Sequence, residues 1–171
     1  TGGGLSNFAG SNTSYTATFI PTIGSTTTAS INVVAGKFAD AFGNQNLASN
    51  ALKISVDTSA PVATFSQVAT PRNIGVSSLD LTFTESVSGF DVSDLSLTFN
   101  GNAVSLSGAS ISGSGANYTI SGLNTTAQGA YVLTLNFNAS GISDASGNAL
   151  GANASVSWSV DTSSPAVAIT S

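Results

Sequence analysis

Eight carboxylates and three bases set the chemistry open to this 171-residue chain. The acids are Asp40, Asp57, Asp80, Glu85, Asp91, Asp94, Asp144 and Asp161; the bases are Lys37, Lys53 and Arg72. Three bases cannot neutralise eight acids, and clustered carboxylates resist joint ionisation. Outside a cell the natural counter-ion is calcium, which gathers roughly six to eight oxygens from carboxylates, backbone carbonyls and Asn side chains. Two segments carry such donors at one spacing: Asp40-Ala41-Phe42-Gly43-Asn44 and Asp144-Ala145-Ser146-Gly147-Asn148. The same pattern also reads as a plain turn, in which Asp and Asn hydrogen-bond the local backbone and Gly supplies a positive φ.

Other chemistries fail on inventory. The chain has no Cys and no His, so disulfides, thiolate nucleophiles, Ser-His-Asp triads and most zinc sites are excluded. Residues 61–161 contain no lysine for an intramolecular Lys–Asn isopeptide bond. Paired-carboxylate glycoside hydrolysis needs a substrate cleft, which a polar module junction does not offer, and no enzyme is expected. Nucleic acid is excluded because phosphates are neutralised by clusters of Lys and Arg. No apolar run is long enough for a membrane span. Charged residues are 6% of the chain, about a quarter of the usual share. A neutral Ser/Thr/Asn-rich surface without Cys points to an extracellular, cell-surface setting. Asn12, Asn117, Asn124, Asn138 and Asn153 begin sequons open to glycosylation.

The elements that must position the acids come from a repeat. Val56-Asp57-Thr58-Ser59-Ala60-Pro61 returns 104 residues later as Val160-Asp161-Thr162-Ser163-Ser164-Pro165, and the two Asp-x-x-Gly-Asn segments share that offset. Two motifs at one spacing mean tandem modules. Hydrophobicity alternates with period two: Leu79, Leu81 and Phe83 against Asp80 and Thr82; Leu95, Leu97 and Phe99 against Ser96 and Thr98; Tyr131, Leu133 and Leu135 against Val132 and Thr134. Such runs are strands with one face buried. Asn100-Gly101 marks a hairpin, and Ser112–Gly115 marks another turn.

The expected fold is all-β, with tandem Ig-like antiparallel β-sandwich modules. The complete module spans 61–161, with strands A to G near 62–69, 79–84, 95–99, 104–111, 117–123, 131–137 and 154–160. Residues 1–57 match strands D to G of a preceding module, 58–61 form a linker, and 162–171 form a linker and the first strand of a following module. Half a sandwich exposes apolar faces and strand edges. Either the chain is a window on a longer polypeptide, or a neighbouring chain completes the fold by adding strands.

Alternating strand directions send Glu85, Asp91, Asp94 and Asp144 to the pole entered by the linker that carries Asp57. Only Asp80 falls at the other end. Asp40 should repeat the arrangement at the preceding junction and Asp161 at the following one, with Asn148 and Asn44 as further oxygen donors. The expected metal ligands are therefore Asp57, Asp144, Asn148, Glu85, Asp94, Asp91, Asp40 and Asp161.

Taken together, the Val-Asp-Thr-x-x-Pro linkers, the Asp-x-x-Gly-Asn loops, Ser14–Phe19 and Phe83-Thr84-Glu85-Ser86-Val87-Ser88-Gly89-Phe90 resemble the bacterial Ig-like tandem repeats of giant extracellular surface adhesins. One departure is Ser86, where Pro is the expected residue. The resemblance implies long arrays that reach out from a cell, often with structural calcium at the junctions. Expected partners are neighbouring repeats of the same polypeptide or identical chains in a filament. The alternative is a module that binds a surface glycan or protein through loops such as 10–14 or 124–130.

Overall fold

The computed structural model describes residues 2–138 and 140–169 and divides into two units, residues 1–59 and 60–171. Nearly all regular structure is antiparallel strand, as the period-two patterning requires. No helix among the described residues is long and apolar enough to cross a membrane.

Among the described residues the second unit holds eight strands: β5 (Ala63–Phe65), β6 (Ser78–Ser88), β7 (Leu95–Phe99), β8 (Asn102–Val104), β9 (Ser110–Ser121), β10 (Gly129–Leu135), β11 (Ser143–Asp144) and β12 (Ala154–Val160). One sheet runs β12-β10-β7-β8, and the other runs β11-β6-β5 with β9 also on β6. Alternation puts Leu79, Leu81 and Phe83 of β6 in the same core as Leu97, Leu133, Leu135 and Trp158 of the facing sheet. The Trp158 ring stacks on Tyr131 at 5.6 Å, while Phe83, Phe90 and Tyr118 meet edge to face. Such aromatic pairs contribute about 0.5–1.5 kcal/mol beyond the area they bury.

The expected strands at 95–99 and 154–160 form with those bounds. The strand expected at 79–84 runs on to Ser88, the one expected at 117–123 ends at Ser121, and the remaining three differ more. The first strand keeps only Ala63–Phe65, because the chain then crosses to the other sheet. There the Arg72 amide donates to the Ser159 carbonyl at 3.0 Å, and the Arg72 carbonyl accepts from Asp161 N at 2.8 Å. The strand expected at 104–111 is displaced. Asn100 and Gly101, at φ 48° and 81°, make a tight hairpin that lays Asn102–Val104 against β7, and the next strand begins only at Ser110. The strand expected at 131–137 runs two residues earlier in the chain, because Gly129 and Ala130 already pair with Val160 and Ser159.

β9 is not one straight run. A Cβ placed on Gly113 would run into the Asn117 carbonyl oxygen, although residues four apart in an extended strand are separated by about 13 Å. The chain therefore doubles back at the expected Ser112–Gly115 turn. Gly122 lies equally close to Gly108 at the far end of the two arms. The first strand expected of a following module does not form: residues 162–169 carry no strand. A strand needs a hydrogen-bonding neighbour, and among the described residues this segment has no strand beside it. Residues 170 and 171 lie outside the described residues.

The first unit contains two hairpins, β1 (Gly3–Ser11) with β2 (Ser14–Pro21) and β3 (Thr26–Ile31) with β4 (Leu52–Asp57). Val33, which continues the alternation of Ala29 and Ile31 in the sequence, lies just beyond β3. Of its described apolar side chains only Ala29 and Val56 are fully buried, whereas Phe8, Tyr15 and Phe38 are 75%, 55% and 63% exposed.

Candidate functional site

Strand pairing brings two of the expected ligands together. β11 pairs with the end of β6, Ser143 opposite Ser88 and Asp144 opposite Val87. The β6–β9 ladder slips between Thr82 and Val87, the stretch of β6 that carries Glu85. As a result Glu85 and Asp144 offer carboxylate oxygens within 4.8 Å of each other.

Asp144 is organised by its own loop. Its Oδ1 accepts from the backbone amides of Ser146 and Asn148, both at 2.8 Å, and its Oδ2 accepts from Asn148 Nδ2 at 2.8 Å. The Asp144 amide in turn donates to the Asn148 carbonyl at 3.1 Å. Asp40 repeats this arrangement in the first unit with Phe42 and Asn44, each bond 2.9 Å. The Asn148 and Asn44 side-chain hydrogen bonds are the largest cause, in each loop, of a carboxyl group held below the ordinary range. Asp144 is 6% exposed, yet its hydrogen bonds outweigh desolvation. The turn reading of these segments therefore holds. It leaves room for an ion, since each carboxylate oxygen has two lone pairs and Oδ2 uses one of them.

Asp91 and Asp94 spend their side chains differently. Asp91 caps, and Asp94 ends, a single 3₁₀ turn, Val92–Asp94, and the two form a reciprocal capping box. Asp91 accepts from the Ser93 amide and hydroxyl, and Asp94 Oδ2 accepts from the Asp91 amide at 2.8 Å. The Ser93 hydroxyl lowers the Asp91 pKa most. Asp94 is 6% exposed, and desolvation raises its pKa. Neither belongs to the carboxylate group that Glu85 and Asp144 form, because each bonds to the backbone of the turn it caps.

Asp57 ends β4 in the first unit, where its Oδ1 accepts from Thr26 Oγ1 at 3.1 Å and from the Ser59 amide at 3.2 Å. Asp161 makes the matching bond from Ser163 N at 2.9 Å. Asp80 accepts from Thr119 Oγ1 at 2.8 Å, toward the opposite end of β6 from Glu85. Sequence reasoning missed Thr125, fully buried, whose hydroxyl accepts from the Val76 amide at 2.7 Å and donates to the Val76 carbonyl at 2.8 Å. Its residue type marks it as a surface position, and only the fold reveals the contact.

Two antiparallel sheets closed on one apolar core, with acidic turns at the strand ends, define the second unit as an Ig-like sandwich. The profile of the bacterial Ig-like domain matches residues 1–56 and again 57–170. The chain belongs to the bacterial Ig-like domain family and carries two successive matches to it. No curated protein matches the chain.

Proposed function

We propose that this chain is a structural repeat segment of an extracellular bacterial surface stalk, adhesin or filament, whose junctions are stiffened by calcium. One observation carries the reading: the acidic loop recurs with the module. Asp40–Asn44 and Asp144–Asn148 lie 104 residues apart, with one hydrogen-bonding pattern, in successive matches to one family. A residue serving a single pocket has no reason to recur in each module, whereas a residue serving each junction does.

Calcium fits the donors. Glu85 and Asp144 present hard oxygens within 4.8 Å of each other, as two ligands of one ion at about 2.3–2.6 Å each would. Thr58 and Ser59 alone separate Asp57 from Ala60, and in this proposal Asp57 supplies a third carboxylate through that short tether. Asp161 holds the corresponding place after the second module. When bound, the ion neutralises the carboxylates and restrains the linker. Partners in this reading are neighbouring repeats or identical chains. A glycan or protein target finds support in one surface feature, the stacked exposed rings of Phe8 and Tyr15, 5.5 Å apart.

Calcium titration of the full chain by calorimetry tests the proposal. Binding at about 10⁻⁴–10⁻³ M, typical of extracellular modules, is expected, and Glu85→Gln with Asp144→Asn should abolish it. No heat of binding, together with identical melting in calcium and in EDTA, would remove calcium from the account.

A further inference from the structure

We propose that each linker is clamped by hydrogen bonds to the module it leaves, so that the joint between modules is confined to a single residue, Ala60, with or without calcium. Strand β4 ends at Asp57, yet its pairing runs on. The Thr58 amide donates to the Ser25 carbonyl at 2.9 Å, and the Gly24 amide donates to the Thr58 carbonyl at 3.2 Å. The Thr58 hydroxyl donates to the Thr22 carbonyl at 2.6 Å and accepts from the Ser25 amide at 3.0 Å. The Thr26 hydroxyl is shared between Asp57 Oδ1 and Ser59 Oγ, 3.1 Å from each. All of these partners belong to the first unit. The chain is taken up again at once by the second. The Pro61 carbonyl accepts from the Gly151 amide at 3.3 Å, and the Val62 amide donates to Thr84 Oγ1 at 3.0 Å. Ala60 alone is exposed and makes no hydrogen bond among the described residues. The Pro61 ring fixes its own φ near about −65° and confines the residue before it to extended conformations. The joint therefore turns mainly about Ser59 ψ and Ala60 φ.

The second linker repeats the clamp with different chemistry. The β3–β4 register, Thr27 opposite Val56, matches Gly129 opposite Val160, so Ile31 answers to Leu133 and Gln128 stands where Thr26 does. Gln128 Oε1 accepts from the Ser163 hydroxyl at 2.9 Å and from the Thr162 hydroxyl at 3.3 Å. The Asp161 amide is already tied to the Arg72 carbonyl at 2.8 Å. Ser164-Pro165 then follows Ser163 as Ala60-Pro61 follows Ser59. A hydroxyl in one unit and a carboxamide in the other reach the same linker serine, so the contact recurs although the residue that makes it does not. The Asp-Thr-Ser repeat thereby has a use that involves no ion: its hydroxyls fasten the outgoing chain to the module behind it. The clamp stands whether or not the proposed calcium binds.

Backbone ¹⁵N relaxation of the full chain in EDTA tests the proposal. Thr58, Ser59, Thr162 and Ser163 are expected to show order parameters of about 0.85, those of rigid backbone. Gln128→Ala should drop Thr162 and Ser163 below about 0.6, whereas Gln128→Glu, which keeps an acceptor oxygen, should hold them. Thr58→Val should loosen Ser59, and Thr58→Ser should restore it. Unchanged order in β10 and β12 verifies that each variant is folded. The two units should share one correlation time in the parent and separate when a flexible Gly-Ser-Gly-Ser segment is inserted between Ser59 and Ala60. Values below about 0.6 at the four linker residues in EDTA overturn the proposal; a rise on adding calcium would then assign the stiffness to the ion. Units that already tumble separately in the parent overturn it as well, as does Gln128→Ala without effect on Ser163. Rigid linker amides in EDTA together with a silent calcium titration would remove the ion and keep the clamp.

Discussion

Asp144 and Asp94 are both 6% exposed, yet their environments push them in opposite directions. Hydrogen bonds from Asn148 lower the Asp144 pKa, while desolvation raises that of Asp94. For Asp144, and for Asp40 with it, the stabilising contribution is present above the unfolded value of about 3.9. It is lost as pH falls through the lower native value. Asp94 has the reverse sign: its contribution is present below about 3.9 and is lost as pH rises through its raised native value. Carboxyl NMR titration should therefore show Asp40 and Asp144 ionising at lower pH than Asp94; the opposite order would contradict these assignments. At the buried hydroxyl, Thr125→Val leaves the Val76 amide and carbonyl without their partner. It should cost about 1–3 kcal/mol, measured by denaturant unfolding, whereas Thr125→Ser should retain most of that stability.

Strands of the same sequence family carry different energies depending on what faces them. Leu133 on β10 is fully buried, and its counterpart Ile31 on β3 is only half-buried. Leu133→Ala should cost about 2–5 kcal/mol, from lost transfer energy and a residual cavity. Trp158 is the only tryptophan and lies in the second unit's core, so its fluorescence follows that unit. Ile31→Ala should leave the Trp158 transition within about 0.5 kcal/mol of the parent. Equal shifts for the two variants would mean that the units unfold as one body.

At the scale of the whole molecule, the consequence of the proposed ion is a calcium-dependent stability. With a dissociation constant of about 10⁻⁴ M, about 1 mM calcium should add roughly 1.4 kcal/mol by mass action. For a unit of this size that is a rise in melting temperature of roughly 5–10 °C. Scanning calorimetry with and without EDTA reads it directly, and the Glu85→Gln, Asp144→Asn pair should melt identically in both buffers.

Alternation is a local property, and so the residues themselves determined where most strands lie. Leu95–Phe99 and Ala154–Val160 form as their patterns dictate, and the 104-residue recurrence announces two modules of one kind. The acid inventory and the missing Cys and His likewise fixed the range of chemistry. Only the tertiary structure decided which acids meet. β11 must pair with β6 before Asp144 approaches Glu85, while the adjacent Asp91 and Asp94 close on their own turn. The crossing of the first strand toward β12 and the capture of Asn102–Val104 by β7 are likewise set by partners far along the chain. A period-two pattern assigns each side chain a face, but it does not say which neighbour that face will find.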